Sequence, residues 1–385
     1  MTPLFKHAVC LLTILFVATT TATKTTAADS TSTKQVINAA KFDSLQAALD
    51  ALPKEGGVVL LPPGKFEITE PLRLGVGDVS LRGSGTATHI INKNEAGEPA
   101  LLIAHPECKN AKTDRKFNLW RVHVTDLRIT GNEKSGAGIE ARQVNEIYLE
   151  GITLSENGGD GVFLNYCYED PRIVDSLFTY NKKNGVNLAG CHDIVVNANH
   201  FEENQDALLC TDGYNLCMNG NNLDDHLGHG VIIENTYGSV LSGNMIEECA
   251  GTGIILDRDC YGITLSANVI AHNGAGIDLR DAHGCAVSAN TFTILKTNAL
   301  RIGPDSGRIT VTGNNFSNSY IGEKSIKRKV DDAAAGGMLI DNAANISITG
   351  NVFSGLTEKA VTLKGERKNI VFASNVLVDV ESDLE

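Results

Sequence analysis

Two short segments near the middle of the chain carry the residue types best suited to acid–base chemistry. They read "LDRDCYG" and "DLRDAHG" and combine carboxylates with arginines and a histidine: Asp257, Arg258, Asp259, Asp278, Arg280, Asp281 and His283. Removal of a proton from a carbon next to a carboxylate needs a cation that neutralises the carboxylate and a base that takes the proton. Arg280 and Arg301 are the predicted cations. His283, Asp257 or Asp259 is the predicted base.

Six carboxylates form three pairs that recur every 22 or 23 residues. The pairs are Glu202 with Glu203, Asp224 with Asp225, and Glu247 with Glu248. Carboxylates stacked at such a repeat repel one another unless water solvates them or a cation bridges them. Because Ca²⁺ binds several oxygen ligands, the pairs predict a Ca²⁺ site, and Ca²⁺ is the only cofactor that the sequence suggests. A solvated acidic edge without a bound ion is the alternative.

The same spacing extends over much of the chain, because an asparagine recurs at intervals of 22 to 24 residues, with one interval of 37. The positions are Asn199, Asn221, Asn244, Asn268, Asn290, Asn314, Asn351 and Asn375. Each asparagine follows alternating apolar and polar residues, as in "ITLSAN", which is typical of a half-buried strand. Ser176 and Ile152 take this position in earlier copies. The asparagines are predicted to stack in a buried ladder of hydrogen-bonded amides.

Three short strands per repeat predict an all-β protein, a single-stranded right-handed parallel β-helix. Successive coils of such a solenoid stack at the inter-strand distance of roughly 4.8 Å. The solenoid is predicted to span residues 121–380, behind an N-terminal cap and first coils at 29–120. Within the cap, "DSLQAALDALP" predicts a helix over 43–52 that begins at Asp43 and covers the open first coil.

The predicted substrate groove follows the third strand of each coil. Its floor consists of the outward side chains, which include Phe163, Asn187, Ile232, Ile255, Asp278 and Arg301. Asp278 and Arg258 are predicted to contact the substrate, although ion pairing within surface turns explains the same residue types. The interval of 37 residues places an insertion at 317–337 beside this groove, as an anion clamp or as a polar loop. It carries the densest basic cluster of the chain: Lys324, Lys327, Arg328 and Lys329.

The first 28 residues have the pattern of a secretory signal peptide. Lys6 precedes the apolar run "AVCLLTILFVA", and small residues lead to "TTAADS" at the predicted cleavage site. Export predicts a secreted or periplasmic protein that has no membrane segment after cleavage. Loss of 1–28 removes Lys6 and Lys24 and no acid, so the formal net charge falls from −13 to −15. Such a charge disfavours nucleic acid as a partner, and the sequence indicates no oligomeric state.

The chain resembles the pectate-lyase-like superfamily of right-handed β-helix proteins over roughly residues 35–380. The resemblance rests on "SLQAALDALPKEGGVVLLPPGKFEIT", on "LRGSG" and on the coils that carry the asparagine ladder. It implies a polysaccharide as the partner, because the superfamily includes polysaccharide lyases, alginate epimerases and polygalacturonase-type hydrolases. Together with the Asp, Arg and His residues, it predicts an enzyme that acts on an acidic, uronate-containing polysaccharide by lyase or C5-epimerase chemistry.

Two alternatives remain open. A non-catalytic glycan-binding or surface β-helix protein is favoured by the apolar residues Ile232 and Ile255 in the predicted groove. A polygalacturonase-type hydrolase is suggested by "CTDG", "DD", "GHG" and "RIG", which occur in that family's order. In that family, however, the acidic pair and Gly-His-Gly lie on neighbouring coils, whereas Asp225 and Gly228 fall within one turn here. Gly303 also replaces the final lysine of the family's Arg-Ile-Lys.

Overall fold

A computed structural model describes residues 35–317 and 336–384 of the chain. The protein folds as a parallel β-solenoid in which most coils contribute one short strand to each of three sheets. This architecture confirms the predicted all-β class. The predicted signal peptide and the basic residues of the insertion lie outside the described residues. Within the two described ranges, no helix is both long enough and apolar enough to span a membrane.

The three sheets are parallel throughout. The first contains Val36–Asn38, Gly57–Leu60, Val79–Arg82, Val122–Thr125, Tyr148–Glu150, Arg172–Val174, Val195–Asn197, Cys217–Asn219, Val240–Ser242, Cys260–Tyr261, Thr264–Ser266, Ala282–His283, Ala286–Ser288, Gly307–Thr312, Ala344–Thr349 and Ile370–Ala373. The second contains Gly64–Ile68, Thr88–Asn92, Arg128–Thr130, Thr153–Ser155, Leu177–Thr179, His200–Glu202, Asn222–Asp224, Met245–Glu247, Val269–Ala271, Thr291–Thr293, Asn315–Ser317, Val352–Ser354 and Val376–Val378. The third contains Leu72–Leu74, Leu101–Ile103, Ile139–Arg142, Val162–Asn165, Asn184–Ala189, Asp206–Thr211, Val231–Glu234, Thr252–Asp257, Ala275–Leu279, Asn298–Ile302, Gly336–Asp341 and Val361–Lys364.

The remaining elements are short and lie near the N-terminal end. An α-helix spans Leu45–Asp50, 3₁₀-helices span Ala39–Lys41 and Arg115–Phe117, and Leu119–Trp120 pairs with Val144–Asn145. The α-helix begins two residues later and ends two residues earlier than predicted; the Ser44 hydroxyl, not Asp43, caps it by accepting a hydrogen bond from the Ala47 N–H. The helix packs beside the first strand of the third sheet, where Gln46 bonds the main chain of Arg73. Its role as a cap on the first coil stays a prediction.

The core is a column of inward side chains that stack from coil to coil. Most are Ile, Val and Leu, and the largest fully buried ones are phenylalanines. The rings of Phe292, Phe316 and Phe353 stack with centroids 4.8 and 4.7 Å apart. Because every coil packs only on its two neighbours, the stacking fixes the register along the whole solenoid.

The asparagine ladder lies at the bend between the first and second sheets. The Asn244 side-chain amide donates to Oδ1 of Asn268 at 2.9 Å, and the Asn268 amide donates to Asn290 at 3.0 Å. The ladder crosses the long interval without a break, since the Asn314 amide donates to Asn351 at 3.0 Å. The predicted stacking of these asparagines is therefore confirmed.

A second ladder, which the sequence analysis did not identify, follows the second sheet. The side-chain amide of Asn157 donates to Asn181 and that of Asn181 donates to Asn204, both at 2.8 Å. His226 and Cys249 occupy the next two positions, and the ladder resumes at Asn273, which accepts from the Cys249 N–H at 2.8 Å. His226 is buried, and its Nε2 has no hydrogen-bond partner in the described structure.

The last described coil leaves part of its edge uncovered. Ile370–Ala373 ends the first sheet and Val376–Val378 ends the second. The outward valines of these strands are exposed. On the third sheet, in contrast, Ser382 pairs with Val361, so the C-terminal segment covers that edge.

Candidate functional site

The outward side chains of the third sheet form one continuous column, as predicted from the repeat. Backbone pairing aligns Phe163, Asn187, Leu209, Ile232, Ile255, Asp278 and Arg301. The expectation that Ile255 forms part of the groove floor was wrong, because Ile255 is only 1% exposed. The column therefore changes from apolar to charged at Asp278, where the candidate site begins.

Asp278 lies between two arginines on neighbouring coils. Its Oδ2 is 2.9 Å from Nε of Arg280, and its Oδ1 is 3.0 Å from NH1 of Arg301. Arg280 also approaches Asp257 at 3.5 Å, and Arg301 approaches Asp341 at 3.3 Å. The two predicted cations thus share one carboxylate, which fixes the orientation of both guanidinium groups. Each guanidinium has five N–H donors, more than these pairs use.

His283 follows Arg280 by three residues and lies in the short strand Ala282–His283 of the first sheet. Its Nε2 is 3.1 Å from Oδ1 of Asp281, while Oδ2 of Asp281 accepts the Asp259 N–H at 2.7 Å. The Asp259 carboxylate accepts the Tyr237 hydroxyl at 3.2 Å. A carboxylate bonded to one ring nitrogen orients a histidine for proton transfer at the other nitrogen. His283 therefore has the geometry of a general base more clearly than Asp257 does.

Arg258 extends the charged network toward earlier coils. Its Nε is 3.1 Å from Glu234 and its NH2 is 3.7 Å from Asp212. Of the residues predicted for substrate contact, Asp278 and Arg258 thus lie within one connected surface. The four basic residues of the insertion lie outside the described residues.

The acidic pairs lie elsewhere: the first member of each pair ends a strand of the second sheet, and the second member lies in the turn that follows. One oxygen each from Asp224, Asp225 and Glu248 fall within 4.8 Å of one another, and Glu247, Glu248 and His272 form an overlapping group. Nδ1 of His272 is 2.6 Å from Glu248. Glu202 and Glu203, also predicted as ligands, belong to neither group. The candidate cation ligands are therefore four of the six predicted acids, Asp224, Asp225, Glu247 and Glu248. His272 joins them and was not predicted from the sequence.

Electrostatic repulsion is visible within these groups. Burial raises the pKa of Asp225, and the nearby carboxylates of Glu248 and Asp224 raise it further. Burial likewise raises the pKa of Asp224, with Glu247 and Glu248 adding to the effect. A bound cation would relieve this repulsion, as would a shared proton.

Three further residues next to His283 were also missed. Tyr261 pairs with His283 in backbone register, and the Arg308 guanidinium lies 5.7 Å from the centre of the Tyr261 ring. Tyr237 contacts Asp259, as described above. The signal was present in the sequence, because Tyr237 and Tyr261 recur at the interval of the asparagines.

Comparisons with known proteins agree with this architecture. The profile of a family described as periplasmic copper-binding protein (NosD) matches residues 175–327. No curated protein matches the chain by sequence.

Solved structures show the same fold at low sequence identity. The A-module of the mannuronan C-5 epimerase AlgE6 of Azotobacter vinelandii is 16% identical, with a TM-score of 0.65 over 89% of this chain and 99% of that one. The A-module of AlgE4 from the same organism is 17% identical, with a TM-score of 0.62 over 88% and 100%. The catalytic unit of a GH87 alpha-1,3-glucanase from Streptomyces thermodiastaticus is 16% identical, with a TM-score of 0.58 over 88% and 66%. The resemblance to right-handed parallel β-helix proteins is confirmed.

Proposed function

We propose that the protein acts on an acidic, uronate-containing polysaccharide by abstracting the proton next to the uronate carboxylate, as a lyase or C5-epimerase does. The observation that carries the proposal is the pairing of His283 with Asp281 at 3.1 Å, on coils that also hold Arg280 and Arg301. The base and its orienting carboxylate thus belong to the same coil as Arg280, and Arg301 lies one coil further on. This is the minimum set of groups for the chemistry.

In the proposed reaction, His283 takes the proton at C5 and the electron pair remains on the sugar. Arg280, Arg301 or both bind the sugar carboxylate and stabilise the charge that develops there, because a guanidinium matches two oxygens at once. In a lyase, that electron pair forms a C4–C5 double bond, the C4–O bond breaks, and an acid protonates the departing oxygen. In an epimerase, an acid returns a proton to the opposite face of C5. Tyr261, one coil from His283, is the proposed acid.

The likeness to two mannuronan C-5 epimerase modules and a glucanase supports a polysaccharide as the substrate class. At 16 to 17% identity, this likeness concerns the fold, so the reaction itself rests on the site. Export to the periplasm or the exterior belongs to the same proposal. It is supported by the N-terminal sequence pattern and by the periplasmic family whose profile matches residues 175–327.

The described residues do not fit a copper site of the kind that the matched family's description suggests. Copper prefers imidazole, thiolate or thioether ligands, usually several together. Each of the candidate groups contains at most one histidine among carboxylates. None of these groups contains a cysteine. The acidic groups suit Ca²⁺ better, and we propose Ca²⁺ as the cation that binds there.

One observation favours a second function, glycan binding without catalysis. Asp278 already pairs with both Arg280 and Arg301, so a substrate carboxylate must compete with it. The apolar residues Leu209 and Ile232 on the preceding coils would suit a binding surface. The positions of Asp212 in "CTDG" and Asp225 in "DD" disfavour a polygalacturonase-type hydrolase. Asp212 follows a strand of the third sheet and Asp225 follows a strand of the second, so the two residues lie at opposite ends of the third-sheet strands.

The decisive experiment is an activity screen against alginate, polygalacturonate and sulfated glycans. Absorbance at 235 nm detects the unsaturated product of a lyase, and proton NMR of the polymer detects epimerised residues. His283→Ala should abolish either signal. The matched control is His200→Ala, since His200 also lies near a carboxylate two residues away, at 3.8 Å, but on the second sheet. Binding without either product signal would establish the non-catalytic alternative.

A further inference from the structure

A column of aromatic rings runs beside the candidate site, in the turn from the third sheet to the first. Its members come from successive coils: Tyr168, His192, Tyr214, Tyr237 and Tyr261. Ring centroids along the column are 4.5, 4.5, 5.5 and 6.5 Å apart. Backbone pairing continues from Tyr261 to His283, so the proposed base occupies the next position of the same column.

The column is accessible to solvent, unlike the phenylalanine stack of the core. Tyr214 is 44% exposed and Tyr261 is 47% exposed. The Tyr214 and Tyr237 rings are nearly parallel, at 18°, so each covers a face of the other. Ring edges and hydroxyl groups therefore form the outer surface. Between Tyr237 and Tyr261 the wider spacing and a tilt of 42° also open the ring faces.

The groups beside the rings are matched to sugars. A pyranose presents C–H patches together with hydroxyl groups, and tyrosine presents an apolar ring together with a phenol that donates and accepts. Asn215 and Asn235 flank the middle of the column, where they bond Asp193 and Asp212. Among the arginines that the structure describes, those that lie over rings of the column are at its two ends, Arg115 at Tyr168 and Arg308 at Tyr261. The middle of the column thus offers hydrogen bonds and apolar contact rather than positive charge.

We propose that this aromatic column binds the polysaccharide chain on one side of the reacting sugar and directs it to His283. The inference rests on the proposed function and extends it, because it assigns the sugars next to the reacting one to Tyr214 and Tyr237. Tyr214 and Tyr237 bind these sugars by apolar contact with the sugar rings and by hydrogen bonds to the sugar hydroxyl groups. The sugar carboxylate is recognised only at the reacting sugar, by Arg280 and Arg301. The rungs repeat at roughly 4.8 Å, a spacing comparable to one sugar unit, so a chain parallel to the solenoid axis meets one ring per residue.

The test is direct binding of defined uronate oligosaccharides, measured by isothermal titration calorimetry. Tyr214→Ala should weaken binding of a long oligosaccharide about three- to tenfold, the range expected for one aromatic contact. A disaccharide that reaches only the His283 end of the column should bind Tyr214→Ala with the same affinity as the wild type. The loss should persist at high salt, because screening weakens charge contacts and not ring contacts. His192→Ala provides a second variant if Tyr214→Ala fails to fold.

The matched control is Tyr180→Ala, because Tyr180 is also 47% exposed but follows the second sheet. Its binding should equal that of the wild type. Equal affinities of wild type and Tyr214→Ala for the long chain would overturn the column and leave the proposed function standing. So would an equal loss in Tyr180→Ala. A wild type that binds no uronate oligosaccharide of any length would refute both.

Discussion

At the scale of single residues, Arg280 should matter for chemistry far more than for stability. Its contacts with Asp278 and Asp257 are partly exposed, and such ion pairs contribute at most about 1 kcal/mol. Arg280→Ala should therefore lower turnover of a uronate substrate by at least tenfold while leaving Tm nearly unchanged. Arg82→Ala, which breaks a 3.1 Å pair with Asp126 on the first sheet, is the control for loss of an arginine. Full activity of Arg280→Ala together with His283→Ala would move the site elsewhere.

Substitution of Asp225, in contrast to that of Arg280, should change the stability of the fold. Because its pKa is raised in the fold, the folded state holds this proton more tightly than the unfolded chain does. The group therefore favours folding below its ordinary pKa, and this stabilisation is lost as the pH rises through the raised value. In EDTA at pH 7, Asp225→Asn should raise the Tm measured by differential scanning fluorimetry, since it removes the repulsion from Glu248.

Added Ca²⁺ should raise the Tm of the wild type by mass action and leave Asp225→Asn unaffected. Glu203→Gln is the control, because Glu203 carries the same charge in the equivalent turn of the preceding coil but lies outside both candidate groups. A wild-type Tm that does not respond to Ca²⁺ would identify the acidic pairs as a solvated edge.

At the scale of an element, the interrupted second ladder predicts a pH dependence of stability. Burial lowers the pKa of His226 from 6.5 to about 4. The neutral ring is thus favoured in the fold, so its contribution is complete above pH 6.5 and is lost as the pH falls toward 4. The lowering of the pKa of His226 corresponds to about 3 kcal/mol in the free energy of unfolding. His226→Asn should flatten the free energy of unfolding between pH 6.5 and 4, because the new amide can accept from Asn204.

Urea unfolding across that pH range measures the effect, and His200→Asn controls for removal of a more exposed histidine. An unchanged pH profile in His226→Asn would mean that another group governs acid stability. The variant should also be at least as stable as the wild type at pH 7, since it continues the amide ladder in place of a ring nitrogen without a partner.

The sequence predicted the two asparagine ladders and the Asp278 site to different degrees. The first ladder was predicted because Asn244, Asn268 and Asn290 stand in a fixed strand context. The second was not, because His226 and Cys249 interrupt it and its asparagines lie in turns of mixed composition. Asp278 was placed on the correct column by strand alternation. Its two arginine partners were not predicted as partners, because alternation fixes the direction of a side chain and not its contacts.

At the scale of the whole molecule, the site is assembled by stacking rather than by chain folding around a pocket. Asp257, Asp278, Arg301 and Asp341 belong to four successive strands of the third sheet, and each is held by pairing with its neighbours. Repetition therefore accounts for both the core and the row of functional groups. A substitution in one coil changes one step of that row and leaves the coils farther away unaltered.

The uncovered edge of the last coil makes the solenoid a template as well as a scaffold. Among residues 35–317 and 336–384, Ile370–Ala373 and Val376–Val378 have a strand partner on one side only and carry exposed valines, the combination that recruits a foreign strand. Exposed Lys364 and Lys368 stand at the approach to this edge, where burial of their charges would oppose such recruitment. The same regularity that stacks one coil on the next would otherwise allow one molecule to stack on another, and we expect these lysines to oppose such end-to-end association.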